Sequence, residues 1–193
     1  PYTLDASGPS KYTVAGAEPM VKTANANMRF PSKILFSVDQ KVNGRLDLLA
    51  SVFHTQWSQL QSLEIKNTPV PFYPNQIIDM HYKDTNLYSV GALYHYNRKI
   101  TLMGGVGRDI TPVRNGYRDT RLPDANRTDV GLGLAYKINN TSSFDISAQD
   151  IISSSVRVDD SSRQPVQPEL PTITGTATTK AKIIAFAYNR VFI

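Results

Sequence analysis

The residues of this chain with the strongest claim to chemistry are arginines. Arg108, Arg114, Arg118, Arg121 and Arg127 crowd one polar stretch, interleaved with Asp109, Asp119 and Asp124 and followed by Asp129. A guanidinium presents a planar fork of donors that matches a carboxylate, so such a loop suits capture of an amphipathic anion, and Arg114 and Arg118 are its candidate ligand-binding residues. The same composition equally suits a solvated loop whose arginines pair with its own aspartates or with lipid phosphates, and exposed pairs of that kind add little stability. Pro112 and Pro123 stiffen the loop under either reading.

Other chemistry is sparse. His54, His81 and His95 are far apart in sequence and lack the spacing of a metal site, and the chain has no cysteine for a disulfide or a thiolate ligand. There is no Gly-x-Ser-x-Gly elbow, His-Glu-x-x-His helix, phosphate loop or dinucleotide fingerprint, so the expectation is a protein that is not an enzyme and needs no cofactor. Asp159 and Asp160, or Asp124, bind calcium weakly at best, since adjacent carboxylates in a loop are ordinarily hydrated. Sequons at Asn126, Asn139 and Asn140 are of the kind that arise by chance. The formal net charge of +5 is dispersed along the chain, with no basic helix or aromatic RNA-binding motif beside it, which excludes nucleic acid as the expected partner.

The elements that must position these residues are strands. From Val130 to Ile138 the side chains alternate strictly: Val130, Leu132, Leu134, Tyr136 and Ile138 point one way, Gly131, Gly133, Ala135 and Lys137 the other. Residues 87–96 and 100–107 alternate similarly. Asn43-Gly44, Asn97-Arg98-Lys99 and Asn139-Asn140 mark short turns, and Asn-Gly predicts a type I′ hairpin with positive φ at both residues. The alternate connections, over residues 67–79, 109–126 and 159–171, are long and polar. The pattern predicts strands over 30–42, 45–66, 80–96, 100–110, 127–138, 142–158 and 172–192, with a weaker candidate between Lys11 and Met20 and loop over 1–9 and 23–27.

Hydrophobic content of 40% and a mean hydropathy of −0.30 resemble those of a soluble protein, and no run of about 18 apolar residues offers a spanning helix. A membrane barrel strand reaches the same averages by alternating lipid-facing apolar residues with small or polar ones. Short turns at one rim and long loops at the other match that architecture. Trp57, Tyr94, Tyr136 and Phe192 are then candidate membrane-interface residues, because amphipathic rings rest where headgroups meet hydrocarbon; Trp57, with Phe53 and Leu60, alternatively lines a hydrophobic ligand path.

The order of motifs carries a resemblance. Phe30-Pro31-Ser32-Lys33 opens a strand, Thr55-Gln56-Trp57-Ser58 closes another, and Tyr82-Lys83-Asp84 precedes a third. A glycine-rich strand then leads into Thr111-Pro112-Val113, Leu122-Pro123-Asp124 and a second glycine-rich strand, with Phe192 near the end. Followed over about residues 10 to 193, this order resembles the FadL-type outer-membrane transporters of long-chain fatty acids and other hydrophobic compounds. The resemblance implies an all-β, antiparallel up-and-down transmembrane barrel of fourteen strands, of which about seven or eight are expected here. Residues 1–193 would form the C-terminal part of one barrel domain, without the family's N-terminal hatch and early strands. It implies passive uptake across a bacterial outer membrane, with a hydrophobic small molecule, membrane lipid and lipopolysaccharide as partners, and possible completion of the wall by another chain. It also implies that Lys83, at the family's Lys-Asp step, lies inside the barrel near a bound carboxylate. A structural half-barrel and a soluble antiparallel sandwich serving as a binding module are the alternatives.

Overall fold

The computed structural model describes residues 3–71, 74–118, 123–159 and 173–192. The strands are β1 (Thr3–Tyr12), β2 (Met20–Arg29), β3 (Lys33–Asn43), β4 (Leu46–Thr55), β5 (Ser62–Lys66), β6 (Gln76–Asp79), β7 (Thr85–His95), β8 (Ile100–Asp109), β9 (Arg127–Lys137), β10 (Ser142–Ser153), β11 (Val156–Asp159), β12 (Thr174–Ala177) and β13 (Lys180–Arg190). One turn of 3₁₀-helix, η1 (Trp57–Gln59), is the only helical element among the described residues. A seven-stranded antiparallel sheet in the order β13-β10-β9-β8-β7-β4-β3 forms the body. Smaller sheets are β1-β2-β5-β6, which joins the two N-terminal strands to the connection between β4 and β7, and β11-β12, from the connection between β10 and β13.

The alternation seen in sequence becomes two unlike faces. Register places Tyr188, Phe144, Tyr136 and Ile100 in one cross-strand row, and Phe186, Ile146, Leu134, Leu102 and Tyr94 in the next. This face stands open: Leu132 is 69% exposed, Ile184 68% and Phe36 68%. On the opposite face Gly91, Gly105 and Gly131 align across three strands. A Cβ built on Gly105 would sit 3.1 Å from the Val90 carbonyl oxygen, so glycine there permits close strand approach. The bare row lines a shallow cavity of about 450 Å³ flanked by Leu49, Leu93, Met103 and Gln149.

Among the described residues no second sheet covers the apolar face. The buried apolar residues Leu60, Val113, Ala125 and Val158 all belong to the long connections at one rim. A soluble sandwich would instead bury the apolar face of the sheet at its centre.

Several boundaries differ from the sequence reading. The strand expected over 45–66 breaks after Thr55, because the chain turns through η1, closed by the Leu60 N–H on the Trp57 carbonyl at 2.9 Å. The N-terminal stretches expected as loop are β1 and β2, paired over ten residues each, and the weak strand candidate at 11–20 holds the turn between them, with Gly16 at φ 81°. Both strands are largely exposed, and their alternation, such as Ala24, Ala26 and Met28 against Asn25, Asn27 and Arg29, is short and built mostly of small residues, a weaker signal than the bulky apolar face of the wall strands. The strands expected over 142–158 and 172–192 each divide, giving β10 with β11 and β12 with β13. Asn43-Gly44 does form a hairpin, but neither residue has positive φ. The Asn43 side chain accepts the Arg45 N–H at 2.8 Å, beside a bulge between Lys41 and Asn43, and this replaces the expected type I′ turn. Asn97 and Asn139 accept backbone N–H groups in the other two turns in the same way.

Candidate functional site

The long-loop rim is organised around three tied segments: η1, residues 80–84, and the connection from β8 to β9. The Asp84 carboxylate accepts the Ser58 N–H at 2.8 Å. That hydrogen bond from Ser58 is the main reason the carboxyl sits below the usual range for aspartate. Gln61 donates to the Tyr82 carbonyl at 3.0 Å, and its own carbonyl accepts from His81 at 3.0 Å. The Trp57 and Tyr82 rings meet edge to face, centroids 5.9 Å apart. The Lys83 N–H then donates to the Pro112 carbonyl at 3.1 Å, and Arg114 Nε donates to the His81 carbonyl at 2.9 Å.

Within the arginine-rich connection the charges are largely consumed internally. Arg127 bridges the Asp109 and Asp124 carboxylates. Thr111 Oγ1 donates to Asp124 at 2.6 Å, and the Thr111 N–H donates to Asn126 Oδ1 at 2.9 Å. Arg108 donates to Thr128 Oγ1 at 2.6 Å. Arg118 is only 4% exposed. Its Nε meets the Asp124 carbonyl at 2.8 Å, while its Nη1 meets Asn115 Oδ1 and the Arg157 carbonyl, both at 3.2 Å. This guanidinium thus clamps the β8–β9 connection to β11.

The predicted site residues are therefore placed unequally. Lys83 and Arg114 come together at the rim, tied through His81 and Pro112, and both side chains are exposed. Lys83 precedes β7 and does not lie within the strand expected to begin at residue 80. Arg118 has spent its donors on the loop. Trp57 lines a rim cavity with Met28, Phe30 and Leu60. Tyr94 and Tyr136 stand on the apolar face, 40% and 38% exposed. Phe192 is 85% exposed beyond the end of β13, under the Arg190 guanidinium at 5.3 Å. Asp119, Arg121, Leu122 and Asp160 lie outside the described residues.

Two groupings were not anticipated. Arg29 and Lys33 open into the same cavity as Trp57; the signal lay in two cations flanking Phe30-Pro31. On the small-residue face near the short turns, His95 bridges Asp47 Oδ2 at 3.0 Å and Thr101 Oγ1 at 3.1 Å, residues whose pairing only strand register reveals. Among the described residues no group of histidine and acidic side chains is arranged to hold a metal ion.

A seven-stranded sheet with an open apolar face, a small-residue face opposite and structured loops at one rim has the form of a barrel wall. The model of the outer membrane protein transport protein family (OMPP1/FadL/TodX) matches residues 3–192. The chain belongs to this family. Its similarity to the crystal structure of a Pseudomonas aeruginosa FadL homologue has a TM-score of 0.79 at 26% identity, covering 89% of this chain and 38% of that one. The Pseudomonas putida toluene transporter TodX shares the fold, with a TM-score of 0.59 at 15% identity, covering 98% and 42% of the two chains. By sequence the chain is 31% identical over 100 residues to the long-chain fatty acid transport protein of Escherichia coli O6:H1, covering 51% of this chain and 22% of that protein. It is 26% identical over 125 residues to outer membrane protein P1 of Haemophilus influenzae, covering 65% and 27%. The chain spans about a quarter of the length of the curated relatives it matches. The fold is that of an outer-membrane β-barrel, and the family consists of passive transporters rather than enzymes.

Proposed function

We propose that this chain supplies seven adjacent wall strands and part of the extracellular rim of a barrel that lets hydrophobic compounds cross the outer membrane passively. The observation that carries this reading is the division of the seven-stranded sheet into an exposed apolar face and a bare face of glycine and serine. The first suits lipid and the second a lumen. Gly91, Gly105 and Gly131 leave space along the inner wall, and Ser37 and Ser51, joined by a 3.0 Å hydrogen bond, line the same side. Long loops mark the extracellular end of such barrels.

Among the described residues β3 and β13 each lack a partner on one side. Open edges leave backbone donors and acceptors unpaired in hydrocarbon, at several kcal/mol each, so residues 1–193 act as part of one larger barrel domain whose remaining strands come from the same polypeptide or from another chain. Lys83 and Arg114 form a polar station at the mouth for the anionic end of a ligand, while Arg118 positions the loop that carries Arg114. Tyr94, Tyr136 and Phe192 anchor the wall at the lipid interface, and exposed rim cations meet lipopolysaccharide phosphates.

Relatives named for long-chain fatty acids and for toluene leave two substrate classes, carboxylates and neutral hydrocarbons. The full-length protein in liposomes should take up palmitate and hexadecanol down their gradients without ATP. Lys83→Ala should weaken palmitate uptake more than hexadecanol uptake. Fluxes equal to those of protein-free liposomes would refute the transport reading, and equal losses for the two ligands would refute the role of Lys83.

A further inference from the structure

At the long-loop end of the wall, strand parity sorts cations and acids onto opposite faces. Arg108 pairs with Thr128, Thr128 with Ile152 and Ile152 with Lys180, so one cross-strand row of the apolar face carries a cation at Arg108 and another at Lys180. The adjacent Asp109, Arg127 and Asp129 fall on the small-residue face, where Arg127 meets Asp109. Arg108 and Lys180 are both exposed. Arg108 donates to the neutral Thr128 hydroxyl at 2.6 Å, and among the described residues neither cation meets a carboxylate. Lys182, farther into the apolar band, has its own carboxylate, that of Asp150 at 3.3 Å.

Height places this row at the membrane surface. Along β8 it lies eight residues from the row of Ile100, Tyr136, Phe144 and Tyr188. At about 3.4 Å per residue and a tilt of about 40°, that is about 20 Å of height, close to the apolar band of about 25 Å in such barrels. A charge facing lipid costs most at the midplane and little near the interface, and long loops mark the extracellular side. We infer that the row from Arg108 to Lys180 seats a diphosphorylated glycolipid of the outer leaflet, lipopolysaccharide, with one phosphate of its disaccharide head at each cation and its acyl chains on Val106, Val130 and Leu132. Three strand spacings, about 14 Å, separate β8 from β13, a span that a disaccharide phosphorylated at both ends bridges. A phospholipid offers a single phosphate and engages one cation. The Thr128 hydroxyl orients the guanidinium without neutralising it, and Lys182, already paired, adds little. The inference rests on the membrane-wall reading above and is independent of the compound transported.

The test titrates the full-length protein in detergent with diphosphoryl lipid A and counts bound copies by native mass spectrometry. Arg108→Gln with Lys180→Gln should weaken binding roughly thirtyfold. Monophosphoryl lipid A occupies one cation, so the same variant should lose roughly fivefold with it. Arg108→Lys with Lys180→Arg should bind as wild type does. Arg190→Gln, on the same face at the short-turn end, should change nothing, and heat-modifiable gel migration should be the same in every variant. Equal affinity of wild type and the double glutamine variant for diphosphoryl lipid A would overturn the seat. So would equal losses for the two lipids, or a loss in Arg190→Gln as large as in the double variant, since either would reduce the effect to overall charge. A wild-type protein without heat-modifiable migration would strike the membrane-wall reading instead.

Discussion

Arg118→Ala should loosen the β8–β9 connection and the β11–β12 hairpin together while sparing the wall. The guanidinium is 4% exposed and reaches the Asp124 carbonyl at 2.8 Å, Asn115 Oδ1 at 3.2 Å and the Arg157 carbonyl at 3.2 Å. A hydrogen bond to a charged group is worth about 1.5–3 kcal/mol, and truncation leaves the carbonyl acceptors buried without a donor. The Nε bond at 2.8 Å is counted in full. The two longer contacts share one nitrogen and count together as one more, giving a local loss of about 3–6 kcal/mol. Arg114→Ala removes one exposed contact, to the His81 carbonyl, and should cost about 1 kcal/mol or less. Hydrogen exchange separates the two cases. In Arg118→Ala, amides of residues 111–118 and of β11 should exchange faster while those of β8 and β9 keep their protection. Arg118→Lys should recover only part of the loss, because an ammonium cannot reproduce the fork that spans two loops. Unchanged protection of residues 111–118 in Arg118→Ala would refute the clamp.

Three further outcomes follow from the geometry. The Asp84 carboxyl is held below its ordinary value mainly by the Ser58 N–H, so its contribution to the η1 anchor is present above the unfolded value of about 4 and is lost as pH falls through the lower folded value; Trp57 emission should stay constant from pH 7 to about 4 and shift only below it, whereas a shift centred at higher pH would assign it to another group. Gly105→Val brings a Cβ to 3.1 Å from the Val90 carbonyl oxygen, while a Cβ at Gly131 finds only the Ala148 carbonyl oxygen at 3.9 Å; the first substitution should destabilise by about 1–3 kcal/mol and Gly131→Ala by less, read from thermal unfolding in detergent. Cysteines at Tyr94, Leu132 and Tyr136 should react with lipid-soluble reagents and cysteines at Gly131 and Ala135 with water-soluble ones, and equal aqueous labelling of both sets would contradict the assignment of faces.

The wall was the legible part of the sequence. β7, β8 and β9 carry a period of two because one face is bulky and apolar and the other small, so every residue from Val130 to Tyr136 records which side of the sheet it stands on. The rim recorded a weaker contrast. In β2 the half-buried Ala24, Ala26 and Met28 alternate with the exposed Asn25, Asn27 and Arg29, a trace of mostly small residues over a single short run, and cross-strand contacts such as Asn27 with Asp5 add nothing that sequence alone displays. The break at Gln56 was equally hidden, since η1 is held by Asp84, 26 residues beyond Ser58. Thr111-Pro112-Val113 marked the loop, but its physical role needed coordinates. Thr111 links Asp124 and Asn126, and Val113 is 6% exposed beneath the connection.

The placement of charge carries the larger lesson, because density of arginine and availability of arginine run in opposite directions at this rim. In the crowded connection Arg108, Arg118 and Arg127 each have an oxygen within reach, supplied by the same loop or by the strand beside it. The Asp109 and Asp124 carboxylates offset the charge of Arg127, while Arg108 and Arg118 meet neutral oxygens that fix the loop and orient the guanidinium without removing its charge. Arg29 and Lys33 lie in a stretch without an acid between Glu18 and Asp39, whereas Lys83 is followed by Asp84, whose carboxylate is taken up by the Ser58 N–H; among the described residues none of the three side chains meets a carboxylate. A cation that is to bind a transported anion must remain unpaired in the empty protein, since an internal carboxylate would have to be displaced at a cost comparable to what the ligand returns. The cations expected to be open to a ligand at this mouth are therefore the exposed ones, Arg114 of the crowded connection among them, while Arg118 and Arg127 hold that connection together.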